Sequence, residues 1–278
     1  MEPDRLTKPQ GDASNRSQLD VWEGIWRKTG LTEKRVRDKL RFEQTTMRWK
    51  AIRKAFVREF GSIQGLRTIE LGAGTGDISM LLAAEGAKVT LFDASERALD
   101  IARFQLGVFG FEPEFVVGNF FELPDQVRGR FDAAVSYGVV EHFRGEDRYL
   151  AWKAHADTLR PGGMVAVSVP NALCLPYRLN KWRQEVTGTW PWGLEIPYTR
   201  AEMHEMAKRL GLAAWHINGS SFLRDWDQFL LTPITARITG LTGFSFEKWT
   251  PFDRWFGHAQ TLIGRYSSDV RNAPRTQC

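Results

Sequence analysis

The middle of the chain alternates short apolar runs with amphipathic segments, which is the pattern of buried strands followed by helices. Strands are predicted at 68–71, 88–92, 114–117, 131–136 and 164–169, with helices at 77–85, 96–109 and 146–159. Two later apolar runs, 213–217 and 261–266, add a sixth and a seventh strand. This alternation predicts an α/β fold with a doubly wound, Rossmann-like, mostly parallel seven-stranded sheet and helices on both faces.

The flanking regions differ from the middle of the chain in composition, and the chain is predicted to consist of four parts. Residues 1–17 contain few large apolar side chains and are predicted to be a disordered tail. Residues 18–65 are predicted to be a helical N-terminal extension, with breaks at Gly30 and Gly61. Residues 66–170 form the core. Residues 171–278 supply the remaining strands and, at 220–256, an aromatic-rich insertion that we expect to cap the sheet. A helix in this last part is predicted to begin at Thr199, with Glu202 completing a capping box.

A glycine-rich loop follows the first strand of the core and is the strongest chemical signal. Residues 70–76 read Glu-Leu-Gly-Ala-Gly-Thr-Gly, and a helix begins directly after them. Glycines are needed where the backbone turns tightly and where a ligand must approach it closely. Two ligand classes use such loops, dinucleotides and S-adenosylmethionine (SAM). Asp77 occupies the place of the third glycine of the dinucleotide motif, and its carboxylate disfavours a pyrophosphate there.

A second acidic residue, Asp93, ends the second strand and lies 17 positions beyond Gly76. A carboxylate at this place can accept hydrogen bonds from the two hydroxyls of a ribose. The feature is shared by proteins that bind NAD and proteins that bind SAM. The alternative interpretation is an acid at the N-terminus of the helix that follows Ser95.

These motifs, taken in order, resemble those of class I SAM-dependent methyltransferases. Residues 70–76 are similar to the first motif of that family, 118–124 to its adenine-binding segment, 131–143 to its fourth strand and following loop, and 159–163 to the turn before its fifth strand. The resemblance implies SAM as the cofactor and S-adenosylhomocysteine as the product. It also implies a set of cofactor-binding residues: Glu70, Gly72, Ala73, Gly74, Gly76, Asp93, Ala94, Asn119, Phe120 and Tyr137. The family often has Asp where this chain has Asn119.

The sequence of the loop after the fourth strand limits the class of methyl acceptor. Residues 136–139 read Ser-Tyr-Gly-Val, not the Asn-Pro-Pro-Tyr type of sequence found in enzymes that methylate amino groups of bases or glutamine amides. The Glu-His pair at 141–142 instead resembles the small-molecule and lipid-modifying members. We therefore expect a small-molecule or lipid-like acceptor and no nucleic acid.

The same Glu-His pair supplies the candidate catalytic residues. Histidine titrates near neutral pH, so His142 is the candidate general base, and Glu141 is expected to orient it or to line the methionine pocket. Both side chains could instead be structural. His155 and His204 are expected at the surface of helices, and His216 and His258 have no partner at metal-ligand spacing, so no metal site is predicted.

Charge and cysteine content bear on the surroundings of the protein. The segment 34–58 carries ten Lys or Arg residues against two acidic ones. It can contact an anionic membrane surface, or it can be the solvated face of a helix whose other face, with Trp49, Ile52, Phe56 and Phe60, is buried. Only Cys174 and Cys278 are present, which favours a reduced, cytoplasmic location. A monomer or a homodimer is expected.

Three rival functions fit parts of this pattern. Alkene methylation of the cyclopropane-synthase type is suggested by the loop around His142 and the basic N-terminal helix. A SAM-binding protein without catalysis would keep the same glycines and Asp93. An NAD-dependent oxidoreductase is disfavoured by Asp77.

Overall fold

A seven-stranded sheet organises the computed structural model, which describes residues 12–226 and 249–267. The strands are β1 (Arg67–Leu71), β2 (Lys88–Asp93), β3 (Glu114–Val117), β4 (Phe131–Tyr137), β5 (Leu159–Pro170), β6 (Leu212–Ser220) and β7 (Ala259–Tyr266). Their order across the sheet is β3-β2-β1-β4-β5-β7-β6. Strands β1 to β5 pair in parallel, whereas β7 runs antiparallel to both of its neighbours. The predicted mostly parallel seven-stranded sheet is confirmed.

Eight helices of eight or more residues are present in the described part of the chain. They are α1 (Asp12–Lys28), α2 (Glu33–Thr45), α3 (Met47–Phe60), α4 (Asp77–Ala84), α5 (Glu96–Gly107), α6 (Gly145–Thr158), α7 (Leu175–Val186) and α8 (Arg200–Arg209). Thr199 and Glu202 form the capping box predicted for the last of these. None of the described helices is long and apolar enough to cross a membrane.

The N-terminal extension consists of three helices. The first begins at Asp12, so the prediction of a disordered tail over residues 1–17 is wrong for residues 12–17; residues 1–11 lie outside the described residues. The breaks predicted at Gly30 and Gly61 are present. A third break was missed at Thr46, whose side chain accepts a hydrogen bond from the backbone N–H of Trp49 and so starts α3.

Strand β5 begins earlier than its apolar run suggests. Leu159 pairs with Phe131 before a register shift, so residues 159–163, predicted as a helix end and a turn, belong to the strand. The predicted cap at 220–256 falls mostly outside the described residues, because nothing is described between 226 and 249. Within it, Phe222–Trp226 and Asp253–Phe256 are short helices.

Buried apolar side chains cover both faces of the sheet. Helix α3 contributes Trp49, Ile52 and Phe56 to one of the two clusters, so the basic segment has the buried apolar face that its spacing indicated. The other cluster contains Trp152 and Tyr198, whose side chains are hydrogen-bonded. With both faces covered, the carboxyl ends of the parallel strands are the edge at which such sheets bind ligands.

One histidine is in a different place from the one predicted. His155 was expected at the surface, but it is fully buried, with Nε2 2.8 Å from the hydroxyl of Ser136 and Nδ1 2.9 Å from the carbonyl oxygen of Ala151. A carbonyl oxygen can only accept, so Nδ1 carries the proton. His155 is therefore a core residue that connects α6 to β4.

Candidate functional site

A cavity of about 610 Å³ opens at the carboxyl ends of β1, β2 and β4. It is lined by nine of the ten predicted cofactor-binding residues and by one of the two candidate catalytic residues: Glu70, Gly72, Ala73, Gly74, Asp93, Ala94, Asn119, Phe120, Tyr137 and His142. Gly76 and Glu141 are absent from this lining. The motifs that follow one another along the chain therefore lie together in one site.

Asp93 holds the glycine loop in place. One carboxylate oxygen accepts a hydrogen bond from the backbone N–H of Gly74, and the other accepts from the backbone N–H of Ser95, both at 2.8 Å. Burial raises the pKa of Asp93, while these amides act in the opposite direction. The helix-terminal role that was the alternative interpretation is thus present. A carboxylate has about four acceptor positions, so two remain for ribose hydroxyls, and that role stays a prediction.

Glu70 orders the start of helix α4. Its side chain is 3% exposed, and its Oε2 atom accepts a hydrogen bond from the backbone N–H of Ser79 at 2.8 Å. Burial raises the pKa of Glu70 to about 8. The carboxyl group therefore lies under the loop and still contributes to the cavity wall.

Gly76 has a packing role. Its φ is 76°, and a Cβ atom there would lie 2.6 Å from the side chain of Leu91 and 3.1 Å from that of Leu106. Glycine is required because α4 starts against the strand and helix that carry these leucines. The prediction that Gly76 touches the cofactor is not supported by the cavity lining.

Asp77 carries a charge that the structure balances. Lys39 lies 2.5 Å from its Oδ1 atom, which also accepts hydrogen bonds from Gln105 and Thr75. Burial acts to raise the pKa of Asp77, but these partners, Lys39 foremost, hold it below its usual value. Repulsion of a phosphate by Asp77 alone is therefore weaker than the sequence suggested.

The electrostatic preference against a phosphate ligand comes instead from the cavity lining as a whole. Five acidic residues line the cavity, namely Glu70, Asp77, Asp93, Glu122 and Asp147, and no Lys or Arg is found among the described residues that line it. Glu70 is protonated at neutral pH because burial raises its pKa to about 8, and Asp77 is paired with Lys39, so the uncompensated acidic residues are Asp93, Glu122 and Asp147. Such a surface favours a cationic ligand and disfavours a pyrophosphate.

Helix α1 forms the roof of the cavity, whereas the sequence predicts only that residues 19–65 contribute to the acceptor site. Gln18, Trp22 and Trp26 line it from positions four residues apart, on one face of the helix. The rings of the two tryptophans stack with centroids 5.4 Å apart. A Cβ atom on Gly74 would lie 3.3 Å from the ring of Trp26. The spacing of these three residues was the available signal, but nothing local shows what the face covers.

His142 lines the cavity beside Trp22, with ring centroids 5.3 Å apart in an edge-on arrangement. Its Nδ1 atom is hydrogen-bonded to the carbonyl oxygen of Leu194, which can only accept, and therefore carries the proton. The amide nitrogen of Gln18, 3.2 Å from Nδ1, is then a contact and not a hydrogen bond, because both atoms are donors. Nε2 is left as the nitrogen that can accept one. Burial lowers the pKa of His142 to about 4, against the opposite effect of the Leu194 and Gly138 carbonyls. The expectation that it titrates near neutral pH is wrong.

Glu141 is buried beside the cavity and is not part of its lining. It is 1% exposed, and its Oε2 atom makes no hydrogen bond with the described residues. Burial raises its pKa to about 8, and Glu195 adds to this shift while Arg148 opposes it. Glu141 is thus a protonated acid at neutral pH. That it orients His142 or lines the methionine pocket stays a prediction.

Tyr137 has a buried hydroxyl that makes no hydrogen bond with the described residues. The guanidinium of Arg48 lies 3.5 Å from the centre of its ring. Burial is the main cause of a raised pKa, so the hydroxyl stays protonated. A buried O–H without a partner at the cavity wall is one that a polar ligand can satisfy.

Two groups of potential metal-ligand side chains form only in the fold. In each group the ligand atoms lie within 4.8 Å of one another: Glu141, His142 and Glu195 in the first, and Cys174, Asp225 and His258 in the second. Neither group is recognisable from spacing, because Glu195 is more than 50 positions from His142, and Cys174, Asp225 and His258 are each separated by more than 30 positions.

The comparisons with known proteins agree with this geometry. A family described as a methyltransferase domain matches residues 69–163. A ubiquinone biosynthesis O-methyltransferase of Dechloromonas aromatica is 33% identical over 110 residues, which are 40% of this chain and 47% of that protein. The protein of the same name from Nitrosococcus oceani is 25% identical over 71% of this chain and 86% of its own length. The chain spans about half the length of the first curated relatives that it matches.

A solved structure shares the fold. The magnesium protoporphyrin IX methyltransferase of Synechocystis PCC 6803 with bound SAM aligns with a TM-score of 0.55 at 16% identity, over 94% of this chain and all of that chain. At that identity the likeness concerns the architecture alone.

Proposed function

Because residues 69–163 of this chain are a class I SAM-dependent methyltransferase domain, we propose that the protein transfers the methyl group of SAM to a hydroxyl of a small aromatic or lipid-like acceptor. The observation that carries the proposal is the cavity in which nine of the ten predicted cofactor-binding residues meet, with Asp93, Glu122 and Asp147 in its wall and no Lys or Arg among the described lining. SAM carries a sulfonium and an ammonium group, which suit such a wall, whereas the pyrophosphate of NAD does not.

The residues that would hold the cofactor follow from their positions. Asp93 offers its two remaining acceptor sites to the ribose hydroxyls, and Phe120 offers a ring face to the adenine. Asn119 supplies a side-chain carbonyl, although its oxygen already accepts from the backbone N–H of Phe121. The buried hydroxyl of Tyr137 and the carboxyl of Glu70 are left for the methionine end.

The chemistry that SAM supplies is an already activated methyl group, so the protein must chiefly align the acceptor. Positioning of this kind contributes roughly 7–11 kcal/mol. His142 holds the acceptor hydroxyl through its unprotonated Nε2 atom and takes the proton as the new bond forms. Its low pKa keeps the ring neutral over the physiological range. Glu141 is not part of the cavity lining, and its carboxyl group positions the loop through hydrogen bonds with the backbone of Val139 and Glu141.

The acceptor end of the cavity is aromatic. Trp22 contacts His142 and also Trp192, with ring centroids 5.5 Å apart for the tryptophan pair. A planar aromatic or quinone-like acceptor fits such walls. The names of the relatives, which refer to ubiquinone biosynthesis and O-methylation, support an oxygen acceptor of this kind.

The predicted surroundings belong to the same proposal. The segments 19–65 and 171–260 contribute the acceptor side, and the protein acts in the cytoplasm as a monomer or homodimer. The basic residues of 34–58 offer a contact with an anionic membrane for a lipid-like acceptor.

Binding of the cofactor is tested first, by calorimetric titration with SAM and with NAD. We expect SAM to bind and NAD to show no heat. Asp93→Asn should weaken SAM binding about tenfold or more, since each hydrogen bond to a charged group is worth about 1.5–3 kcal/mol. Asp100→Asn is the matched control, because this carboxyl group lies 64% exposed on α5. NAD binding, or equal SAM affinity in both variants, would refute the cofactor assignment.

Transfer is then tested with methyl-labelled SAM and a panel of catechol-type and phenolic acceptors. We expect label in an ether product, and a large loss of turnover in His142→Ala with SAM affinity retained. Label in an amine or in an alkene-derived product would contradict the hydroxyl assignment. SAM binding without transfer to any panel member or any extract fraction would favour a non-catalytic SAM-binding protein.

A further inference from the structure

Cys174, Asp225 and His258 meet at the carboxyl edge of the sheet, outside the cavity described above. Cys174 precedes α7, Asp225 lies in the short helix Phe222–Trp226, and His258 precedes β7. The Oδ2 atom of Asp225 is 3.4 Å from the sulfur of Cys174 and 2.6 Å from Nδ1 of His258. Thiolate, imidazole and carboxylate are the three ligand types that Zn²⁺ takes in proteins.

The separations are close to those of a tetrahedral site. With zinc bonds of about 2.3 Å to sulfur and 2.1 Å to oxygen, the S–O edge of a tetrahedron is roughly 3.6 Å. The observed S–O distance is 3.4 Å. The N–O edge of such a site is roughly 3.4 Å, so Nδ1 and Oδ2 need to separate by less than about 1 Å. A small rotation of either side chain is enough.

One buried residue, Asn171, holds the backbone at two of the three proposed ligands. Asn171 is fully buried, and its backbone N–H donates to the carbonyl of His258 while its own carbonyl accepts from the N–H of Cys174. Its side-chain amide donates to the carbonyls of Trp255 and Gly257, just before the histidine. This arrangement holds the backbones that carry Cys174 and His258 beside each other before any ion binds.

The burial of the three side chains fits an ion with one open position. Cys174 is 1% exposed, whereas the side chains of Asp225 and His258 are 13% and 37% exposed. The sulfur is thus at the inner end, and the histidine faces solvent. A fourth ligand can be water.

We propose that Cys174, Asp225 and His258 bind one Zn²⁺ ion, which joins the start of α7 to the segments on both sides of residues 227–248. Binding releases the thiol proton to solvent and leaves a thiolate, a carboxylate and a neutral imidazole on the metal. The ion closes the 33-position interval between Asp225 and His258 and so anchors both ends of the predicted cap.

The site is tested on the full-length chain, freed of metal with a chelator and titrated with Co²⁺ as a spectroscopic substitute for Zn²⁺. We expect one equivalent to bind, with the visible bands of tetrahedral cobalt and a thiolate-to-metal charge-transfer band. Excess Zn²⁺ should displace both. A chain that shows no thiolate band at one equivalent overturns the proposal.

Variants separate this site from the other group of potential ligands. Cys174→Ser should abolish the thiolate band, and His258→Ala should lower Zn²⁺ affinity at least about 10–100-fold, as measured by competition with a chromophoric chelator. Cys278→Ser, which removes the other cysteine of the chain, should leave both unchanged. Circular dichroism establishes that each variant is folded. Binding that persists in Cys174→Ser but disappears in Glu195→Gln would place the ion at Glu141, His142 and Glu195 and refute the assignment.

Discussion

Replacing Gly76 with alanine tests the packing role that the structure gives to the last glycine of the loop. The residue has φ of 76°, and a new Cβ would lie 2.6 Å from the side chain of Leu91. The left-handed conformation costs a non-glycine residue about 1–2 kcal/mol. Overpacking against a filled core adds about 1–3 kcal/mol. Gly76→Ala should therefore lower the free energy of unfolding by about 2–5 kcal/mol.

Gly110→Ala is the matched control. Gly110 has φ of 70°, but a Cβ there meets no atom within 4 Å. It carries the conformational cost without the overpacking, and both variants share the loss of unfolded-state entropy. The difference between the two variants in urea unfolding isolates the contact with Leu91, which we expect to be about 1–3 kcal/mol.

Two results would contradict this interpretation of the loop. If Gly76→Ala is no less stable than Gly110→Ala, the contact with Leu91 does not restrict the site. If the folded Gly76→Ala protein loses SAM affinity while stability differs little, Gly76 belongs to the ligand surface after all. Unfolding curves and SAM titrations on the same samples distinguish these cases.

The remaining predictions concern a buried acid and the roof helix. The pKa of Glu141 is raised by burial to about 8 from its ordinary 4.5, so the folded state holds this proton more tightly than the unfolded state, and stability falls as pH rises between these values. Glu141→Gln cannot ionise and should flatten this decline in thermal midpoints measured between about pH 5 and 8; parallel curves would contradict the assignment. Gln18 on α1 donates a hydrogen bond to the carbonyl of Trp192 and accepts one from the N–H of Leu194, each at 2.9 Å. Gln18→Ala should therefore lower the free energy of unfolding by about 1–3 kcal/mol and raise the KM for the acceptor. An unchanged urea midpoint and KM would show that α1 is not held by this contact.

The sheet and the glycine loop could be predicted from the sequence because their signals are local. Each strand of the core is a short apolar run, and Ser95 and Thr199 mark helix starts by chemistry that needs no distant partner. The start of β5 could not be placed from its apolar run, since Leu159 joins the strand by pairing with Phe131 across a register shift.

The roof of the cavity could not be predicted for the opposite reason. Gln18 contacts Leu194, which is 176 positions away, and no local pattern identifies such a partner. The protonation states of the two histidines could not be predicted from the sequence for a related reason. His142 and His155 have the same unperturbed pKa, and only the extent of their burial, which is a tertiary property, lowers both to about 4.

The two neighbouring side chains after β4 are both uncharged at neutral pH, although burial shifts their pKa values in opposite directions. His142 is held neutral by a lowered pKa and Glu141 by a raised one. Asp77, by contrast, is kept ionised by Lys39 on the loop side of the cavity. Lys39 also balances the charge of Asp77, and His142 is neutral, so a charged acceptor would meet no counter-charge from these groups. This neutrality favours an acceptor that arrives as a neutral hydroxyl and loses its proton only as the methyl group is transferred.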